Sequence, residues 1–97
     1  MKRSETQKIK TVLDDFMDQH PYIAQRLAET RLLSSWSKTL GPGVSRFTDN
    51  LFIRDRVLYV KLTSSVLKSE LMMCRERLIK SLNHEARLDV IDSIRFL

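Results

Sequence analysis

The chain has 97 residues, of which 42% are hydrophobic and 30% are charged, a balance typical of one globular domain (residues 1–97) and not of a disordered segment. Its formal net charge is +5, which favours a polyanionic partner such as nucleic acid. The single cysteine, Cys74, excludes an internal disulfide and a cysteine-rich zinc site; with no signal peptide or membrane-spanning run, we expect a cytoplasmic protein without a membrane partner.

Two helices are predicted in the first half of the chain. The first covers about residues 5–18 and should end before Pro21, because proline disfavours the α region for the residue ahead of it. Its apolar residues recur at helical spacing on one face: Ile9, Val12, Leu13, Phe16 and Met17. The second begins at Pro21 and is stopped by Gly41-Pro42-Gly43. Its predicted inner face carries Ile23, Leu27, Leu33, Trp36 and Leu40.

An alternation of apolar and polar residues follows Gly43 and is typical of strands. It predicts one strand ending near Ile53 and a second over Val57–Leu62, joined by a charged turn at residues 54–56. We expect helices to cover one face of this sheet. The other face is either solvated or an interaction surface, with Thr48, Phe52, Tyr59 and Lys61 among its residues.

A third helix is predicted from a cap at Ser64 or Ser65 to about Asn83. Its inner stripe comprises Leu67, Leu71, Cys74, Leu78 and Leu82. Residues 85–90 fit either a further helical turn or a loop, and residues 94–97 a last strand. The predicted order is therefore α-α-β-β-α-β, an α+β fold with helices on one face of a three-stranded sheet. If the last strand pairs in parallel, the connection to it should be a right-handed crossover.

The sequence predicts no catalytic site, no metal site and no cofactor, because no nucleophile, base or ligand set stands at a recognisable spacing. His20 and His84 lie near predicted helix ends, where a solvated surface histidine is the favoured interpretation. Trp36 lies at helical spacing between leucines, which favours core packing. The alternative for Trp36 is a partly exposed anchor for a protein partner.

Five short motifs occur in a particular order: Leu33-x-x-Trp36-x-x-x-Leu40-Gly41, Val57–Ser65, Glu70-Leu71, Leu82-Asn83 and Ile94-Arg95-Phe96. Over about residues 9–97 this order resembles the DciA-like family, once known only as a domain of unknown function. The resemblance implies a K-homology-like fold and, as in bacterial replicative-helicase loaders, binding to DNA and to the replicative helicase. Residues 1–97 contain no zinc-ribbon cysteines and no G-x-x-G loop of true K-homology domains, and we expect a short form without the basic tail of the loaders.

Two hypotheses follow. The first is a non-enzymatic module that binds DNA or RNA weakly and in a salt-sensitive manner, or the replicative helicase, or both. Its candidate phosphate-binding residues are Arg54, Arg56, Lys61, Arg77, Lys80, Arg87 and Arg95. The second is a protein-interaction or homodimerisation module without nucleic-acid binding. Its candidate contact residues are Trp36, Phe52, Tyr59, Met72 and Met73.

Overall fold

The computed structural model describes residues 2–97; for residues 2–7 and 10 it describes the backbone alone. In chain order the elements of this part are α1 (Lys2–Gln19), α2 (Pro21–Leu40), α3 (Pro42–Ser45), β1 (Thr48–Arg54), β2 (Val57–Leu62), α4 (Ser65–Met73), α5 (Arg75–Ala86) and β3 (Ser93–Phe96). The α+β class and the predicted order are confirmed, with a one-turn helix added after α2 and the third predicted helix divided in two. None of these helices is long and apolar enough to cross a lipid bilayer.

The three strands form one mixed sheet in the order β1-β2-β3. β1 and β2 are antiparallel, and β2 and β3 are parallel, with Leu58 opposite Ile94. The hairpin turn has only two residues, Asp55 and Arg56, and both adopt left-handed φ angles, 51° and 63°. A positive φ at both central residues is typical of the two-residue hairpin turns whose twist matches that of the flanking strands. β1 and β2 therefore stay paired up to the turn.

The core lies between the inner face of the sheet and helices α2 and α5. Leu32 of α2, Leu58 of β2 and Leu82 of α5 are fully buried, one from each of the elements that enclose the core. Trp36 is 2% exposed in the same cluster. The predicted inner face of α2 is wrong at Ile23, which is 41% exposed, because the face that meets α5 is centred on Leu32.

The predicted third helix is interrupted at Cys74, whose φ and ψ of −116° and 24° are not helical. Because of this interruption the two helices can pack against different elements. α4 packs on β2, while α5 packs on α2 and β3. The N-cap at Ser64 is confirmed, since its hydroxyl accepts the backbone N–H of Leu67 at 3.2 Å. α5 ends at Ala86, where Arg87 takes a left-handed conformation, so the undecided stretch 85–90 is mostly loop.

The expected position of Thr48 on the outer sheet face is wrong. The pairing of β1 with β2 shifts between Thr48 and Asn50, a bulge that changes which face the preceding residue meets. The Thr48 hydroxyl therefore turns toward the helices, where it accepts a hydrogen bond from Trp36 Nε1 at 3.0 Å and donates to the Val44 carbonyl at 2.9 Å. Beside the bulge, the Leu51 N–H donates to Asn50 Oδ1 at 2.9 Å.

Candidate nucleic-acid interface

The outer face of the sheet presents an aromatic pair. Phe52 of β1 stands opposite Tyr59 of β2, and their rings stack with centroids 4.9 Å apart and planes 11° from parallel. Tyr59 stands in turn opposite Arg95 of β3. Side chains of a strand alternate between faces, so this row points away from the buried residues Leu58 and Val60.

Two more cations share this face. Arg54 and Lys61 lie two residues from Phe52 and Tyr59 respectively, which puts them on the same side of their strands. With Arg95 they surround the aromatic pair, and all three are exposed. We call these five residues (Phe52, Arg54, Tyr59, Lys61 and Arg95) the sheet platform.

The charges of the sheet platform are largely unneutralised. Arg54 and Arg95 form no ion pair with any residue that the structure describes. Lys61 Nζ lies 3.7 Å from Asp49 Oδ2, and because both side chains are more than half exposed, water and salt screen this contact. The platform therefore combines exposed aromatic surface with available positive charge, the combination found where proteins bind single-stranded nucleic acid.

Arg56, which was predicted to bind phosphate, forms a structural contact in the folded chain. Its Nε and Nη2 donate to the two oxygens of Asp92 at 2.8 Å each, and its Nη1 donates to the Asp89 carbonyl at 2.9 Å. These bonds raise the pKa of Arg56 and lower the pKa of Asp92, in each case chiefly through the hydrogen bonds between the two side chains. Arg56 thus ties the hairpin turn to the loop before β3.

The remaining predicted cations lie elsewhere. Lys80 and Arg87 line an open cavity of about 660 Å³ near the end of α5, together with His84. Arg77 lies by a second cavity, of about 460 Å³, with Met72 and Met73. The seven candidate residues therefore do not form a single patch. His84, which the sequence suggested to be a solvated surface histidine, lies one helical turn from Lys80 on the same side of α5.

Of the candidates for protein contact, Trp36 is wrong as an exposed anchor, because its indole is buried in the core and its N–H is bound by Thr48. Met73 is 79% exposed and Met72 is also exposed, at the junction of α4 and α5. Val66, which lies about two helical turns before Met73, is exposed as well. It was not among the candidates. Two large apolar side chains are thus exposed at the junction and a third at the start of α4.

Comparison with known proteins adds one finding. A family model described as "Dna[CI] antecedent, DciA" matches residues 8–96. No curated protein and no solved structure matches the chain.

Proposed function

The chain belongs to the DciA family, which implies a helicase-loader-like role in DNA replication, and we propose that within this role it binds single-stranded DNA on the sheet platform. Replication separates the two strands, so single-stranded DNA is the nucleic acid that such a protein would meet. The binding is proposed to be non-enzymatic and to need no cofactor.

One observation carries this proposal: the stacked Phe52–Tyr59 pair lies on an exposed sheet face with Arg54, Lys61 and Arg95 around it. Every base has a flat apolar face, so aromatic side chains bind bases with little regard to sequence, by about 1–3 kcal/mol for each base stacked. The cations would hold the phosphates, and their release of counterions makes the affinity depend on salt.

Removal of the two unpaired arginines tests the electrostatic half of the proposal. For the double variant Arg54→Gln/Arg95→Gln we expect weaker binding to a fluorescent oligothymidylate at low salt. We also expect the slope of log affinity against log salt to fall by about 1.4, since each phosphate contact on a single strand contributes about 0.7. Fluorescence anisotropy at several salt concentrations measures both quantities.

Two controls define the result. Arg77→Gln removes an exposed arginine far from the platform and should bind like the wild type. Phe52→Ala should weaken binding at every salt concentration and leave the slope unchanged, because stacking releases no counterions. Wild-type protein that fails to bind at low salt, or a double variant that binds like the wild type, would refute the proposal.

We also propose that the α4–α5 junction contacts the replicative helicase. Met72 and Met73 are exposed there beside Arg75 and Arg77, and Val66 is exposed about two turns earlier in α4. Apolar side chains with methionine and arginine among them are enriched in protein interfaces, where a few central residues supply most of the affinity.

Changing one methionine tests this contact. Met73→Asp places a charge on the proposed interface, and we expect at least about a tenfold loss of affinity for the helicase of the same organism, the effect of one interface hot spot. Met73→Leu keeps the apolar surface and should bind like the wild type. Surface plasmon resonance with the immobilised helicase compares the three proteins. Equal affinities for all three would place the contact elsewhere.

A further inference from the structure

The apolar stripe of α1 lies in solvent. Ile9, Val12, Leu13 and Phe16, which share one side of this helix, are 63%, 65%, 52% and 43% exposed. Amphipathic helices normally bury such a stripe, because the packing of that side contributes most of their stability. A contiguous apolar stripe in water indicates an interaction surface.

The rest of the chain does not supply the missing cover within the part that the structure describes. α1 makes its main contacts with α2, and toward its end Asp14 and Met17 line one cavity with residues of α2. The radius of gyration is 15.8 Å, above the value of about 13 Å typical of a compact domain of this length, and the molecule measures 52 × 28 × 20 Å. The elongated shape agrees with a helix that packs outside the main core.

The charges along this part of the sequence identify a matching partner. Residues 1–10 carry four cations and one anion, a net charge of +3, and residues 11–20 carry three aspartates and no cation, a net charge of −3. Two copies of this segment side by side in parallel would bring like charges together. An antiparallel pair brings the basic end of each copy beside the acidic end of the other.

We propose that α1 is a dimerisation element, and that its apolar stripe packs on the stripe of a second copy of this chain in antiparallel orientation. The two helices would cross near Val12 and Leu13, with Lys8 of each copy close to the acidic end of the other. Such an arrangement has two-fold symmetry, so one surface serves both subunits and the assembly closes as a dimer.

The expected dimer is a weak one. An 18-residue helix is about 27 Å long, and a single pair of such helices buries less than the roughly 1,200 Å² of total surface usual in stable complexes. We therefore expect a dimer that dissociates on dilution. The sheet platform and the α4–α5 junction lie on other elements, so the inference does not depend on the proposed function.

Sedimentation equilibrium of the full chain over a range of concentrations tests the dimer. The wild type should dimerise, and Leu13→Asp should weaken dimerisation at least about tenfold, since it places a charge in the centre of the stripe. Leu13 lies outside the core, so the thermal unfolding midpoint of the variant should stay close to that of the wild type. Leu97→Asp, which alters an exposed apolar side chain with no assigned role, should dimerise normally.

The antiparallel orientation has its own test. Lys8→Glu and Asp18→Lys should each weaken the dimer, because each places like charges at positions 8 and 18 of opposite copies, and the two changes in one chain should restore it, because that pair is then attractive again with its signs exchanged. A wild type that is monomeric at every concentration overturns the proposal, as does a dimer that Leu13→Asp leaves unchanged. Failure of the double variant to recover overturns the antiparallel orientation.

Discussion

Replacing Trp36 with alanine is expected to lower the free energy of unfolding by about 3–5 kcal/mol, the usual cost of removing a buried aromatic side chain. Trp36 is 2% exposed, and its Nε1 donates to Thr48 Oγ1, which donates onward to the Val44 carbonyl. The substitution would leave a cavity between α2 and the sheet and break the link from α2 through Thr48 to α3. Since the total stability of a domain is about 5–15 kcal/mol, the loss is a large share of it.

Urea denaturation followed by far-ultraviolet circular dichroism measures this change. A loss of 1 kcal/mol lowers the unfolding midpoint temperature of a domain this small by about 4–8 °C, so a thermal scan should show the effect clearly. Trp36→Phe keeps one aromatic ring and loses the rest of the indole with its N–H, so it should cost less than Trp36→Ala. Unfolding of Trp36→Ala at the wild-type urea concentration would contradict the assigned role in the core.

The second large effect is expected from Asn83→Leu, at about 3 kcal/mol or more. The Asn83 side chain accepts the backbone N–H groups of Val90 and Ile91 at 2.9 and 3.1 Å and donates to the Ile91 carbonyl at 2.9 Å. Val90 and Ile91 are buried, so these backbone groups have little access to water. A leucine would leave three polar groups without partners, and each such group costs about 1–3 kcal/mol.

Chemical denaturation gives the size of this loss, and hydrogen exchange at Val90 and Ile91 gives its location. Asn83→Asp keeps an oxygen for the two N–H groups and loses only the donor, so it should be less destabilising than Asn83→Leu. If the two backbone amides exchange in Asn83→Leu as slowly as in the wild type, the Asn83 side chain does not hold the loop.

Periodicity predicted the elements well because each of them groups its apolar residues on one face, and that grouping recurs at the spacing of a helix or a strand. The helical spacing from Ile9 to Met17 and the alternation over Val57–Leu62 both correspond to observed elements. The break at Cys74 had no such signal. Apolar residues continue at helical spacing on both sides of it, and the break follows from the different neighbours of α4 and α5, which periodicity does not describe.

The candidate site was only partly predictable for the same reason. Alternation placed Phe52, Tyr59 and Lys61 on one face, but grouping Arg95 with them required the register of β3 against β2. The engagement of Arg56 by Asp92 joins residues 36 positions apart in the sequence, so no spacing rule indicates it. Periodicity likewise identified the apolar stripe of α1 without showing whether anything in the chain covers it.

The irregularity at the start of β1 has a consequence for solubility. An edge strand of a sheet has unpaired backbone N–H and C=O groups that can pair with strands from other molecules, and this pairing leads to aggregation. Here the bulge between Thr48 and Asn50 interrupts the regular hydrogen-bond ladder of the strand. In addition, the side-chain oxygen of Asn50 already accepts a hydrogen bond from the Leu51 N–H. A strand from another molecule could not pair regularly with β1, because one backbone donor is already hydrogen-bonded and the backbone is bent at the bulge. The edge strand β1 is therefore protected against aggregation.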